Sequence, residues 1–411
     1  MSPTPPVDRL APRLQYGPVG RSAWQDIPWQ DLERQTELLG RTVNYVDVGS
    51  GPVVICVHGL SGNWMNWLEN IPQLAREHRV IAIDLPGFGR SPMPQSEITI
   101  GLYADVLIAL LHKLGLQTAT LIGNSMGGQI SAKLAIEHPE LIDRLVLVSP
   151  AGVTIDIARN PQVLWVLKTF GWLYSAGART ASLGSDPLSK SAPLRRALLG
   201  VVCRYPERLP GPLVQRQIFG AGTPGFAPAV HAIGNCDLSD ELERIELPAQ
   251  LIWGRNDRIV PSGDLRLWTR DIAGSESVIY EDTGHVPMFE RPARFNADVN
   301  AFLARTRDAV RSTSDGVIQL DELAKVDADG NVWADRRLAP RALPPQELPE
   351  LDSPISVVEE PPAAKAKPAK ADAKPKAAAK KPAAPKADAA KNAAAKPKPA
   401  TPPAKRPQAR R

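Results

Sequence analysis

From about residue 36 the chain alternates short apolar runs with helix-length stretches. Strand-length runs fall at Thr42–Val48, Val53–Val57, Val80–Asp84, Ala119–Gly123, Leu145–Val148, Gln250–Trp253 and Ser277–Tyr280. Most are continuously apolar, as strands covered on both faces are. Between them, Trp64–Arg76, Ile100–Leu114, Met126–His138, Ser262–Ile272 and Pro292–Arg305 read as helices. This rhythm predicts an open, mostly parallel α/β sheet with helices on both faces.

The rhythm lapses in three places. Residues 151–246 are rich in Leu, Trp and Arg, and residues 163–174 among them make an apolar helical face too short to span a bilayer. An insertion this long between core strands predicts a helical cap rather than a loop. Residues 1–35 form a Pro-rich, polar N-terminal extension, with Trp24 and Trp29 as anchors onto the body. The core is thus 36–150 with 247–308, and 309–360 is a linker. Within that linker, Val326–Trp333 predicts a small hairpin turning at Asp329-Gly330. Its acidic residues are too few and too close for a calcium loop.

Composition changes the picture at the C-terminus. The formal net charge is +5 over 411 residues, but residues 361–411 hold 15 Lys/Arg against 2 Asp/Glu, leaving the rest of the chain at −8. That tail has 20 Ala and 11 Pro, no aromatic residue and no Val, Ile, Leu or Met. It cannot bury enough apolar surface to offset chain entropy, so disorder is the expectation. Its charge suits weak, salt-sensitive contact with a polyanion or an anionic membrane, and it lacks aromatic residues for base stacking. Three cysteines, Cys56, Cys203 and Cys236, match no zinc or redox spacing. With no secretory pattern at the N-terminus, they suggest a reduced, cytoplasmic compartment, with peripheral membrane contact as a further option.

The chemistry concentrates at strand ends. Gly123-Asn124-Ser125-Met126-Gly127 follows an apolar strand and opens a helix. A serine on such a sharp turn stands exposed at the strand's C-terminal end, as a nucleophile must. Its hydroxyl needs a base and a third group to orient that base. Of six histidines, His285 follows the last strand and is the candidate base. His58 also lies at a strand end; His78, His112 and His138 read as solvated, and His231 falls in the cap with its role open. Asp257, just after another strand, is the candidate acid. The oxyanion donors are expected to be the backbone N–H groups of Met126 and Leu60, the latter in His58-Gly59-Leu60-Ser61-Gly62.

Taken together, His58-Gly59, the 84–91 segment Asp-Leu-Pro-Gly-Phe-Gly-Arg-Ser, Gly123-Asn-Ser-Met-Gly-Gly128, Gly254-Arg-Asn-Asp257 with Pro261, and Gly284-His285 with Pro287, Glu290 and Pro292 resemble the α/β-hydrolase superfamily in its capped, esterase/lipase-like branch. The resemblance covers roughly 36–306 and implies the α/β-hydrolase fold. It implies no metal or organic cofactor, and makes Asp84 structural. Ser125 departs from the aspartate nucleophile of dehalogenase-like and epoxide-hydrolase-like relatives. The Gly-Asn-Ser-Met-Gly-Gly form occurs both in carbon–carbon bond hydrolases of aromatic-ring degradation and in bacterial esterases. Val286 stands where the former usually carry tryptophan.

The expected activity is therefore cleavage of a small-molecule carboxylic ester or acyl substrate. Carbon–carbon bond hydrolysis of a ring-fission product and acyl transfer use the same residues. A different class, a polyanion-binding protein on a hydrolase scaffold, would put the working part in the tail. Truncation after Glu360 is expected to leave turnover of small soluble esters within about twofold of the full chain, as a disordered segment outside the core should. A large loss in steady-state rate would move the functional boundary into the tail.

Overall fold

The computed structural model describes residues 15–154, 190–218, 223–307, 324–326 and 332–334. The apolar 163–174 stretch, residues 342–360 with five carboxylates and no Lys or Arg, and the basic tail 361–411 lie outside the described residues.

Eight strands form one sheet: β1 (Glu33–Leu38), β2 (Arg41–Val48), β3 (Val53–Val57), β4 (Arg79–Ile83), β5 (Ala119–Asn124), β6 (Ile142–Val148), β7 (Ala249–Gly254) and β8 (Glu276–Tyr280). Their order is β1-β2-β4-β3-β5-β6-β7-β8. β2 pairs antiparallel with β1 and β4, and every other pair is parallel. The C-terminal ends of β3 to β8 therefore share one edge, and each parallel strand delivers its following loop there.

Alternate residues of each strand enter different apolar layers. Ile55 and Val57, Leu145 and Leu147, Leu251 and Trp253 pack with Tyr103, Leu107 and Leu110 of the helix Ile100–Lys113 and with Ile130 and Leu134 of Met126–Glu137. Val54 and Cys56, Val146 and Val148, and Ile252 pack with Trp67, Ile71 and Leu74 and with Phe295, Val299 and Phe302 of the helix Pro292–Arg305. Two buried faces explain why these strands read as continuous apolar runs.

Several boundaries differ from the sequence reading. Strand β1 lies partly inside the span assigned to the extension; its residues Glu-Arg-Gln-Thr-Glu-Leu bury only Leu38, because it is an edge strand. The single helix expected at Trp64–Arg76 is two short turns, Trp64–Trp67 and Ile71–Leu74. Asn63 caps the first reciprocally with Asn66, and Pro72 opens the second. The helix expected at Ser262–Ile272 begins as a 3-10 turn, Ser262–Asp264, and continues as Leu265–Asp271. Between β6 and β7 the described chain forms helices Ala192–Leu199, Gly211–Ile218 and Phe226–Gly234. Ala324–Val326 pairs antiparallel with Val332–Ala334, the expected small hairpin; its turn lies outside the described residues.

Both tryptophan anchors dock. Trp24 is buried, and its Nε1 donates to Glu69 Oε1 at 2.8 Å beside the Ser22 hydroxyl at 2.6 Å. Trp29 packs against Trp64 with ring centroids 5.1 Å apart and planes tilted by 45°. Replacing Trp24 with Ala removes a large buried surface and one donor from a mostly buried carboxylate. It is expected to lower the unfolding free energy by about 3 kcal/mol. Urea denaturation followed by circular dichroism measures this; an unchanged midpoint would mean the anchor contributes nothing.

Candidate active site

The nucleophile candidate sits where the sequence places it. Ser125 joins β5 to the helix Met126–Glu137 with φ 55° and ψ −117°. Side chains other than glycine rarely adopt this backbone, and it persists only where surroundings enforce it. Here Ser125 N–H donates to Val148 O at 2.9 Å, and its carbonyl accepts from Gln129 N and Ala151 N at 3.0 and 3.1 Å. The flanking glycines are required by close approach: a Cβ at Gly123 would fall 2.3 Å from Gly127 O, and one at Gly127 would fall 2.2 Å from Val57 O.

His285 and Asp257 are brought together. His285 Nδ1 lies 2.7 Å from Asp257 Oδ2, and the Asp257 side chain is 0% exposed. With Nδ1–H donating to the carboxylate, Nε2 is left as the basic atom. The second carboxylate oxygen of Asp257 accepts from Ile259 N and Val260 N at 2.8 and 3.0 Å, so its rotamer is held from the loop it belongs to.

Asn124, which sequence reasoning passed over, ties His285 to the nucleophile strand. Its Nδ2 donates to His285 O at 3.2 Å and to Val148 O at 3.0 Å. The residue before Ser125 thus bonds both the histidine's main chain and the carbonyl that accepts from Ser125 N–H. A buried asparagine beside the serine was the available signal. Asp264 was also missed: it is buried near Asp257, and burial raises its carboxyl although the Thr154 side chain hydrogen-bonds it.

The oxyanion candidates are oriented by their peptide planes. The Gly59 carbonyl lies 2.8 Å from His58 Nδ1 and accepts from Gly62 N at 3.0 Å. Because the peptide is trans, Leu60 N–H points the opposite way. The loop is pressed against the nucleophile, since a Cβ on Gly59 would lie 3.1 Å from Ser125 Cβ. Met126 is the first residue of its helix, where N–H groups have no intrahelical acceptor. Neither N–H meets a protein acceptor among the described residues.

His58 and Asp84 are anchors. His58 is fully buried; its Nε2 accepts from Leu85 N at 3.0 Å, so Nδ1 carries the proton, and burial pushes its pKa down to about 4. Asp84 accepts from Trp64 N at 2.8 Å, Arg90 N at 2.9 Å and Asn44 Nδ2 at 3.0 Å, while burial pushes its pKa up to about 6. Its oxygens are occupied by loop donors, which fits the structural role. The remaining histidines correct the sequence reading in part. His78 is buried, not solvated, because its ring packs at Leu74 O, and desolvation lowers its pKa. His112 and His138 are half-buried, and His138 Nδ1 lies 3.2 Å from Glu140 Oε1. His231 is exposed and bonded to Asn235. A cavity of about 560 Å³ beside Trp29, Trp64 and Arg216 is lined by none of Ser125, Asp257 or His285.

The strand order, with Ser125, Asp257 and His285 after β5, β7 and β8 at the same sheet edge, agrees with one class. The family model described as alpha/beta hydrolase fold matches residues 52–292, and the chain belongs to that family. Among its relatives, 2-hydroxymuconate semialdehyde hydrolase of Pseudomonas sp. (strain CF600) is 29% identical over 290 residues, covering 69% of this chain and 97% of that enzyme. The dihydrolipoyllysine-residue acetyltransferase component of the acetoin cleaving system of Pseudomonas putida is 30% identical over 308 residues, covering 73% and 76%. A solved membrane phospholipase A, a bacterial virulence factor, superposes with a TM-score of 0.53 at 28% identity, covering 67% of this chain and 86% of that one. Among the described residues no helix is long and apolar enough to cross a membrane.

The two anchors oppose each other in acid. His58, lowered from 6.5 to about 4, contributes stability that is present above pH 6.5 and lost as pH falls toward 4. Asp84, raised from 3.8 to about 6, works the other way: its folded form holds the proton longer, so its contribution grows as pH falls through 6. His58→Asn is expected to remove only the first slope, so its melting temperature should fall less steeply than wild type between pH about 7 and about 4. Parallel melting curves against pH for the two proteins would contradict the assignment.

Proposed function

We propose that the protein is a serine hydrolase of carboxylic esters acting through an acyl-enzyme on Ser125, His285 and Asp257. The observation that carries the reading is the 2.7 Å His285–Asp257 bond, with His285 O also bonded to Asn124, the residue before a serine held at φ 55°. Ser125 Oγ attacks the ester carbonyl as His285 Nε2 takes its proton. The tetrahedral oxyanion is met by the Leu60 and Met126 N–H groups, and collapse expels the alcohol, which receives the proton from His285. Water, deprotonated by the same imidazole, then attacks the acyl-enzyme and releases the acid and Ser125. Asp257 holds the imidazole tautomer and stabilises the imidazolium. The helices between β6 and β7 act as the cap that selects the substrate. From Asp156 to Arg216 this insertion carries nine Lys/Arg and three acidic residues, which suits an anionic interface, while its Leu and Trp content suits an acyl chain. The tail 361–411 is assigned to weak polyanion or anionic-membrane contact in a cytoplasmic setting.

The likeness to 2-hydroxymuconate semialdehyde hydrolase, across nearly that enzyme's whole length, supports a second reading: hydrolysis of a carbon–carbon bond in a ring-fission product by the same three residues. The likeness to the phospholipase, and Val286 in place of tryptophan, favour the ester. A chain-length panel of p-nitrophenyl esters, run beside a ring-fission dienoate, separates them. Turnover is expected on esters, with Ser125→Ala lowering kcat by at least about 10³-fold. Turnover of the dienoate alone would replace the ester reading with the second one, and an active Ser125→Ala would end both.

A further inference from the structure

The loop that carries His285 is built on a carboxylate with no part in the proposed chemistry. Glu290 is 0% exposed. Its oxygens accept from Gly284 N at 2.9 and 3.0 Å and from Val286 N at 3.2 Å, the two residues flanking His285. They also accept from Arg204 N at 2.7 Å and from the Tyr16 hydroxyl at 2.6 Å. Tyr16 belongs to the N-terminal extension, 274 residues away along the chain.

The tyrosine is fixed on several sides. Its hydroxyl accepts from Tyr205 N at 2.9 Å, and its ring meets that of Tyr205 edge-on at 5.4 Å and 74°. The next residue, Gly17, donates its N–H to Glu290 O at 2.7 Å. The segment holding Arg204 and Tyr205 also supplies Val202 O, which accepts from His285 N at 2.8 Å. Extension, inserted segment and histidine loop thus converge on one carboxyl group.

We infer that Tyr16 and Glu290 are joint positioning residues for His285, so that the N-terminal extension completes the active site. A buried carboxylate is tolerated only when donors surround it, and charge-assisted bonds are the strong ones. Removing the shortest donor frees Glu290 to turn toward the donors that remain, and Gly284 and Val286 shift with it. The imidazole between them is then misplaced relative to Ser125. Burial and the neighbouring Glu290 push the Tyr16 phenol up, so it remains a donor. The other groups facing Glu290 are the buried Cys203 thiol, itself pushed up by burial, and the Arg204 backbone. The Arg291 guanidinium lies 5.5 Å from the centroid of the Tyr16 ring.

The inference rests on the proposed triad, and the experiment separates the two. Full-length Tyr16→Phe, Glu290→Gln and the double variant are compared with wild type and Ser125→Ala on p-nitrophenyl butyrate, with active serines counted by a fluorophosphonate. Tyr16→Phe is expected to lower kcat per titrated serine about tenfold with KM within about twofold, since a small misplacement acts on the chemical step. Glu290→Gln should give the same signature, and the double variant should be no worse than the poorer single, because the two act as one unit. The single variants are read independently, so a failure of one to fold leaves the other decisive. A lower melting temperature with unchanged kcat per serine would make the contact merely structural and overturn the inference while the triad stands. Additive losses in the double variant would overturn the joint role. An active Ser125→Ala would remove the triad itself, and the inference with it.

Discussion

The candidate site depends on a backbone that would not hold its shape alone. Ser125 at positive φ is wedged between β5 and its helix, with Gly127 against the carbonyl of Val57 at the end of β3. The parallel register Val57↔Gly123 sets those two strand ends level. One constraint therefore places both the serine and the loop that carries Leu60. Three elements share that contact, so a shift in any of them is felt at the Ser125 hydroxyl and at the Leu60 loop together. The packing that makes the sheet is also the packing that aims the chemistry.

Around that constraint, buried ionisable groups serve as loop anchors. Asp84 gathers the 84–90 loop onto Trp64 and β2, and His58 joins the loop that carries Leu60 to Leu85. Glu290 gathers the histidine loop. Each side chain bonds main-chain groups that no regular ladder would satisfy. Loops at a strand edge leave many such groups, and a polar side chain taken out of water with its partners in place supplies a rigid local reference. The candidate base His285 has its peptide groups fixed by Val202 and Asn124 and its imidazole bonded to Asp257.

The sheet was legible because β3 to β7 are buried on both faces and are mostly apolar. The candidate serine and aspartate stood out because Ser125 follows β5 directly and Asp257 follows β7 within three residues, whereas His285 lies five residues past the less buried β8. Strand β1 was not: a polar sequence at a sheet edge has no apolar signature, and only pairing with β2 makes it a strand. The break within 64–76 came from Asn63 and Pro72, residues whose capping roles compete with an apolar pattern that favours one helix. His78 looked solvated from its place beside a surface helix, yet it turns inward against Leu74. Tyr16 could not be read at all, since its partners lie far along the chain and no local pattern marks a contact of that range.

The polar edge formed by β1 has a consequence for how copies of this chain can meet. Glu33, Arg34, Gln35 and Glu37 stand along the outermost strand, and the opposite edge begins at Glu276, which is paired with Arg305. A second copy adding a strand to either end would have to desolvate these charges for a few main-chain bonds. The charges along β1 thereby oppose strand addition at that margin.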